Sequence, residues 1–149
     1  MFVLRDPGAT PTSGANETGV LDPFLNRDRT AIRTQRLLHT AGIDPHVCVW
    51  WNASPYHLGY RGPMRAHDFA IGVRSLRKFI SYCTDLCVVV AMGDDAWPVC
   101  SQVWEAETQR GLPRLIRTWH PMTRGRGGAA RQAELAADVR EAARVIQES

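Results

Sequence analysis

Long apolar runs, lysine and metal-type cysteine spacings are all missing or scarce in this 149-residue chain. No apolar stretch approaches the roughly 18–20 residues that a bilayer-spanning helix needs, so a membrane partner is not expected. The first residues, Met-Phe-Val-Leu-Arg-Asp-Pro, have no basic segment followed by a long apolar one. No signal peptide is therefore expected, and a cytoplasmic location follows. Lys78 is the one lysine among 18 Lys and Arg residues, and 15 acidic residues leave a net charge of +3. Arginine forks suit phosphate, but GC-rich coding gives the same bias. Charge permits a nucleic-acid partner without demonstrating one.

The cysteines are Cys48, Cys83, Cys87 and Cys100. Cys83-x3-Cys87 is not a common zinc spacing, and Cys48 and Cys87 lie inside apolar runs, where a thiol behaves as a small hydrophobe. Buried thiols and no metal are expected. No phosphate-loop or dinucleotide glycine fingerprint follows any strand-like run, and there is no internal repeat or low-complexity tract. A composition of 44% hydrophobic and 22% charged residues is that of an ordinary soluble globule. One domain spanning 1–149, and a monomer, are the simplest reading.

What is present is an alternation. Phe2-Val3-Leu4, Val47-Cys-Val-Trp-Trp51, Leu86–Met92 and Leu115–Trp119 read as strands, the second covered on both faces and the third central. Between and after them, helical patterns run from Asp28 to Thr40, Ala66 to Tyr82, Gly93-Asp94-Asp95 to Gly111, and Ala129 to Gln147. Phe69, Val73, Leu76, Ile80 and Cys83 share one face of the second helix. Leu135, Val139, Ala142 and Ile146 do so in the last. Connections this long suit parallel crossovers, so the expected fold is α/β: a three-layer αβα sandwich around a four-stranded parallel sheet. The five tryptophans are read as core or sheet-covering residues without chemistry.

The strands end in distinctive residues: Asp6-Pro7-Gly8, Asn52, Gly93 and His120-Pro121. In an open parallel sheet the carboxyl ends of the strands form the ligand crevice. A carboxylate, an amide, a close-approach glycine and an imidazole are thus expected on one edge. Taken with their neighbours (Arg5-Asp6-Pro7-Gly8, Trp51-Asn52-Ala-Ser-Pro55, Val90-Ala-Met-Gly93-Asp-Asp-Ala96, His120-Pro121-Met122), these motifs resemble the uracil-DNA glycosylase superfamily. Order and spacing agree across nearly the whole chain, and Arg29-Thr-Ala-Ile-Arg through Leu37-Leu38 to Ala41-Gly42-Ile43 is similar too.

The resemblance implies hydrolysis of the N-glycosidic bond of uracil, or of another deaminated or 5-substituted base, flipped out of DNA in base-excision repair. It implies His120 as the donor to the developing base oxyanion and Asp6 as the carboxylate that positions water and offsets sugar charge. Asn52 would read the Watson–Crick edge, and Phe24 would stack on the base. Pro7, Gly8 and Gly93 would line the pocket, with Gly93 opening a helix whose N–H groups hold a phosphate or the base. Pro55, Pro121, Arg124 and Arg126 would approach the DNA. No cofactor is implied, and the cysteines that ligate iron–sulfur clusters in some branches are not at the matching places. Arg5 stands where the family shows a glutamine, glutamate or other small or amide residue. Gly8 replaces the tyrosine that excludes a 5-methyl group in the strict uracil enzymes.

Plainer readings stay open. Asp-Pro-Gly is ordinary turn chemistry, a strand-terminating asparagine can bond nearby backbone, and Arg124 and Arg126 suit a solvated basic turn. The alternative function is a catalytically silent module that binds DNA, a base or a protein through the same crevice.

Overall fold

Successive side chains of a strand point to opposite faces of a sheet, and in this chain that alternation divides the core in two. The computed structural model describes residues 1–7, 29–106, 112–123, 125 and 127–149. The strands are β1 (Phe2–Leu4), β2 (Trp50–Asn52), β3 (Val88–Met92) and β4 (Arg114–Thr118). The helices are α1 (Arg29–Ala41), α2 (Ala66–Ile80), α3 (Ala96–Ala106) and α4 (Gly128–Glu148). All strand pairs are parallel, in the order β2-β1-β3-β4. Phe2, Leu4, Val88, Val90 and Met92 pack with Leu38 of α1 and with Leu135 and Val139 of α4. Val3, Val89 and Ala91 pack with Val73 and Leu76 of α2 and with Val99 and Val103 of α3. The fold is the three-layer α/β sandwich expected from the alternation, with β3 central.

The chain leaves β1 for α1 on one face and leaves β3 for α3 on the other. Because β1 and β3 are neighbours, their connections part between them, and that divergence opens the crevice of a doubly wound sheet. Asp6 follows β1 and Gly93 follows β3, so these two residues flank it. Among the described residues, no helix is long and apolar enough to cross a membrane.

The second strand differs from expectation. Val47 is 61% exposed and closes a 3-10 turn at Pro45–Val47, and β2 begins only at Trp50. Asp44 causes this: its side chain accepts from the His46 N–H at 2.9 Å, with Pro45 pre-set in the first turn. β2 is an edge strand in hydrogen bonding, yet both of its faces are covered, Trp50 against one core and Trp51 against the other. Trp50 stacks on Phe2 with centroids 4.9 Å apart, and Trp51 stacks on Phe79 at 3.9 Å. The tryptophans do cover the core: Trp50 and Trp119 on one face, Trp51, Trp97 and Trp104 on the other.

α2 lies directly against the turn that follows β2. A Cβ on Gly72 would sit 2.1 Å from the Ala53 carbonyl oxygen, a backbone atom that cannot swing aside. Alanine in place of an interior helical glycine ordinarily stabilises by about 0.5–1 kcal/mol. Here Gly72→Ala is expected to destabilise by about 1–3 kcal/mol through overpacking. Urea unfolding reads the sign directly, and a stabilised variant would refute the close approach.

Candidate active site

Past the last residue of β2 the chain stays beside β1: Ala53 N–H donates to Leu4 O at 2.6 Å and Ser54 N–H to Arg5 O at 2.7 Å. The loop that follows then turns back over Asp6. The Asp6 carboxylate is 14% exposed; its Oδ2 accepts from the Leu58 N–H at 3.1 Å and lies 3.3 Å from His57 Nδ1. The same Nδ1 is 3.0 Å from the Pro7 carbonyl oxygen. Pro7 itself is buried, whereas Pro55 is exposed.

Arg5 fastens this loop. Its Nη2 donates to Tyr60 O at 3.1 Å and to Gly62 O at 2.8 Å. Its Nε lies 3.1 Å from Asp95 Oδ2, and Asp95 Oδ1 accepts the Met64 N–H at 3.1 Å. One guanidinium therefore ties the end of β1, the β2–α2 loop and the β3–α3 turn together. At the far end of the loop, Asp68 in the first turn of α2 accepts the Tyr56 hydroxyl at 2.5 Å and the Tyr60 hydroxyl at 2.6 Å. These two donors hold the Asp68 carboxyl below the ordinary carboxylate range. They also push both phenols upward, Tyr56 chiefly through its bond to Asp68 and Tyr60 chiefly through burial.

Asn52 ends β2 with only 6% of its surface exposed, and its Oδ1 has no hydrogen-bond partner among the described residues. Thr118 Oγ1 at the end of β4 and Trp51 Nε1 are likewise buried without one among them. An unsatisfied buried polar group costs about 1–3 kcal/mol, so an amide oxygen in this state is poised for a donor from outside the chain.

His120 stands at the other end of the crevice. Its Nδ1 accepts the Met122 N–H at 3.1 Å, so the neutral ring carries its proton on Nε2. Burial lowers its pKa below that of an ordinary histidine. The turn that carries it is pinned from two helices. Pro121 O, on a buried residue, accepts Arg33 Nη1 of α1 at 3.0 Å and Gln132 Nε2 of α4 at 3.2 Å. Gly93, at φ +100°, packs on the ring: a Cβ there would meet His120 Cβ at 3.2 Å. The Gly93 N–H donates to Thr118 O at 2.8 Å, which ties this residue to the end of β4.

Asp6, Asn52, Gly93 and His120 thus follow or end four parallel strands spaced about 4.8 Å apart. Gly8, Phe24, Arg124 and Arg126 lie outside the described residues. Reading the sequence did not single out His57, Asp68, Asp95, Arg33 or Gln132 for the site. The cluster Tyr56, His57 and Tyr60 in one loop was a visible signal, but its partners are up to 55 residues away. A cavity of about 530 Å³ beside Arg74, Lys78, Val103 and Leu112 lies toward the opposite edge of the sheet and is no part of this site.

Replacing Arg5 with methionine is expected to free the loop, with hydrogen exchange at the Leu58 and Met64 amides quickening at least about tenfold. Unchanged protection would show that Arg5 does not hold it. For His120, an NMR titration is expected to find a mostly neutral Nε2–H ring at pH about 6.5, where an ordinary histidine is half protonated. Because its folded pKa is depressed, the stability it contributes is present above that ordinary value and is lost as pH falls through and below it. No protein-family model matches this chain and no curated protein is similar to it, so the chemistry of the site rests on its own residues.

Proposed function

We propose that the crevice hydrolyses the N-glycosidic bond of uracil, or of another deaminated or 5-substituted base, in DNA. One observation carries the reading: a buried Asn52 amide oxygen without a partner among the described residues shares an edge with a half-buried, neutral His120 that offers Nε2–H. A base held in the stack cannot reach such groups. The nucleotide must be extruded, at a cost of a few kcal/mol. Uracil then presents an N3–H donor and two carbonyl acceptors, which matches what Asn52 and His120 have to give. As the glycosidic bond stretches, negative charge grows on the base and positive charge on the sugar. A neutral donor already fixed by Met122 N–H meets the first charge without reorganising. Asp6, on the β1 side, offsets the second. The motif order Asp6-Pro7, Asn52, Gly93, His120-Pro121 supports the same reading through its resemblance to uracil-DNA glycosylases. The enzyme would act as a cytoplasmic monomer in base-excision repair, and this chemistry calls for no metal or nucleotide cofactor.

A second reading has its own observation. Asp6 is largely covered, and its Oδ2 already serves Leu58 N–H and faces His57. A carboxylate used in this way suits a loop anchor in a silent module that binds DNA, a base or a protein. The two readings part on activity. On an oligonucleotide carrying one deoxyuridine, His120→Ala and Asn52→Ala are each expected to lower turnover about 10²–10³-fold while unfolding midpoints stay near wild type. Equal activity in both variants removes the glycosylase.

A further inference from the structure

We infer that His57 is the general base of this site, taking the proton of the attacking water while Asp6 holds its ring; the inference rests on the glycosylase reading. His57 Nδ1 lies between two acceptors, Asp6 Oδ2 at 3.3 Å and the Pro7 carbonyl oxygen at 3.0 Å. A ring nitrogen so placed carries hydrogen in either charge state, so in the neutral ring the lone pair belongs to Nε2. The Nδ1 edge is against the protein and the side chain is 48% exposed, so the Nε2 edge is the one that meets water. A carboxylate behind one nitrogen and a free lone pair on the other is how an imidazole is oriented to accept a proton.

Asp6 is poorly placed for that task itself. Its Oδ2 is engaged by Leu58 N–H, and Oδ1 has the Arg5 guanidinium 3.8 Å away. Asp6 is then a positioning residue. The charged groups facing the pair are Asp6, Arg5 from the end of β1 and, through Arg5, Asp95 from the β3–α3 turn. Topology assigns the sides: His57 and Asp6 belong to the β2–β1 half of the edge, His120 to the β4 end. Nucleophile and leaving group are therefore served from opposite flanks of the crevice.

In the step, a water O–H proton moves to His57 Nε2 and the water oxygen bonds C1′ of the sugar. The C1′–N1 bond breaks and its electron pair leaves with the base, whose oxygen accepts from His120 Nε2–H. The proton on His57 then passes through solvent to the base anion, giving free base and an abasic sugar with a hydroxyl at C1′.

The test is a set of single-turnover rates on a deoxyuridine oligonucleotide, with binding measured alongside. His57→Ala is expected to slow the chemical step about 10²–10³-fold and to leave oligonucleotide affinity within a fewfold of wild type. Asp6→Asn is expected to slow it less and to mix the His57 tautomers. ¹⁵N NMR of the wild-type protein gives a readout independent of folding or turnover in any variant: the neutral ring is expected as Nδ1–H, and Nε2–H would overturn the assignment. An active wild type with an equally active His57→Ala overturns the base and leaves the glycosylase standing. A folded wild type without activity on any uracil substrate overturns both.

Discussion

β1 is three residues long, yet it is hydrogen-bonded on both sides and buried throughout. Phe2 pairs with Trp50 on one flank and with Val90 on the other, so a single short segment joins the β2 edge to the β3–β4 pair. Its side chains also serve both cores, Phe2 and Leu4 toward α1 and α4, Val3 toward α2 and α3. Because the connections out of β1 and β3 diverge to opposite faces, the same pairing creates the crevice. Loss of β1 would cost the sheet, the two-sided core and the site together.

Above that edge the determining forces are polar. The β2–α2 loop buries little apolar surface of its own. Its position comes from Arg5 on two of its carbonyls, Asp95 on Met64 N–H, Asp6 on Leu58 N–H and Asp68 on two phenols. Hydrogen bonds to charged groups are worth about 1.5–3 kcal/mol each when well shielded, enough in combination to hold a loop that meets the hydrophobic core at its ends, through Ala53 and Met64. The same network brings His57 to Asp6. On the opposite flank, Arg33 and Gln132 fix the Pro121 turn and so the direction of His120. Asp6 apart, each flank of the crevice is thus set by side chains that take no part in the proposed chemistry.

How much of this is legible in the sequence depends on range. The helical repeat of Val73 and Leu76, the alternation in Val88–Met92 and the turn residues at strand ends are local signals, and they were enough for the layers and for the edge that carries Asp6, Asn52, Gly93 and His120. The apolar run from Val47 misled because a cap three residues upstream, Asp44 on His46 N–H, governs it. The partner of the Gly93 N–H, Thr118 O, belongs to a strand that follows later in the chain, so no local signal announces it. The loop network pairs residues 5 with 62, 57 with 7 and 64 with 95, contacts that no periodicity encodes. Arg5 is instructive here: its sequence context marks no role for it, and its partners explain what it does.

The most direct measurement is the release of free base from a single-stranded, U·A or U·G oligonucleotide containing one deoxyuridine, followed by alkali to cleave any abasic site. Free uracil together with a strand cut at that position is the expected result. An intact strand after incubation with folded protein would contradict the assignment of this crevice to glycosidic-bond hydrolysis.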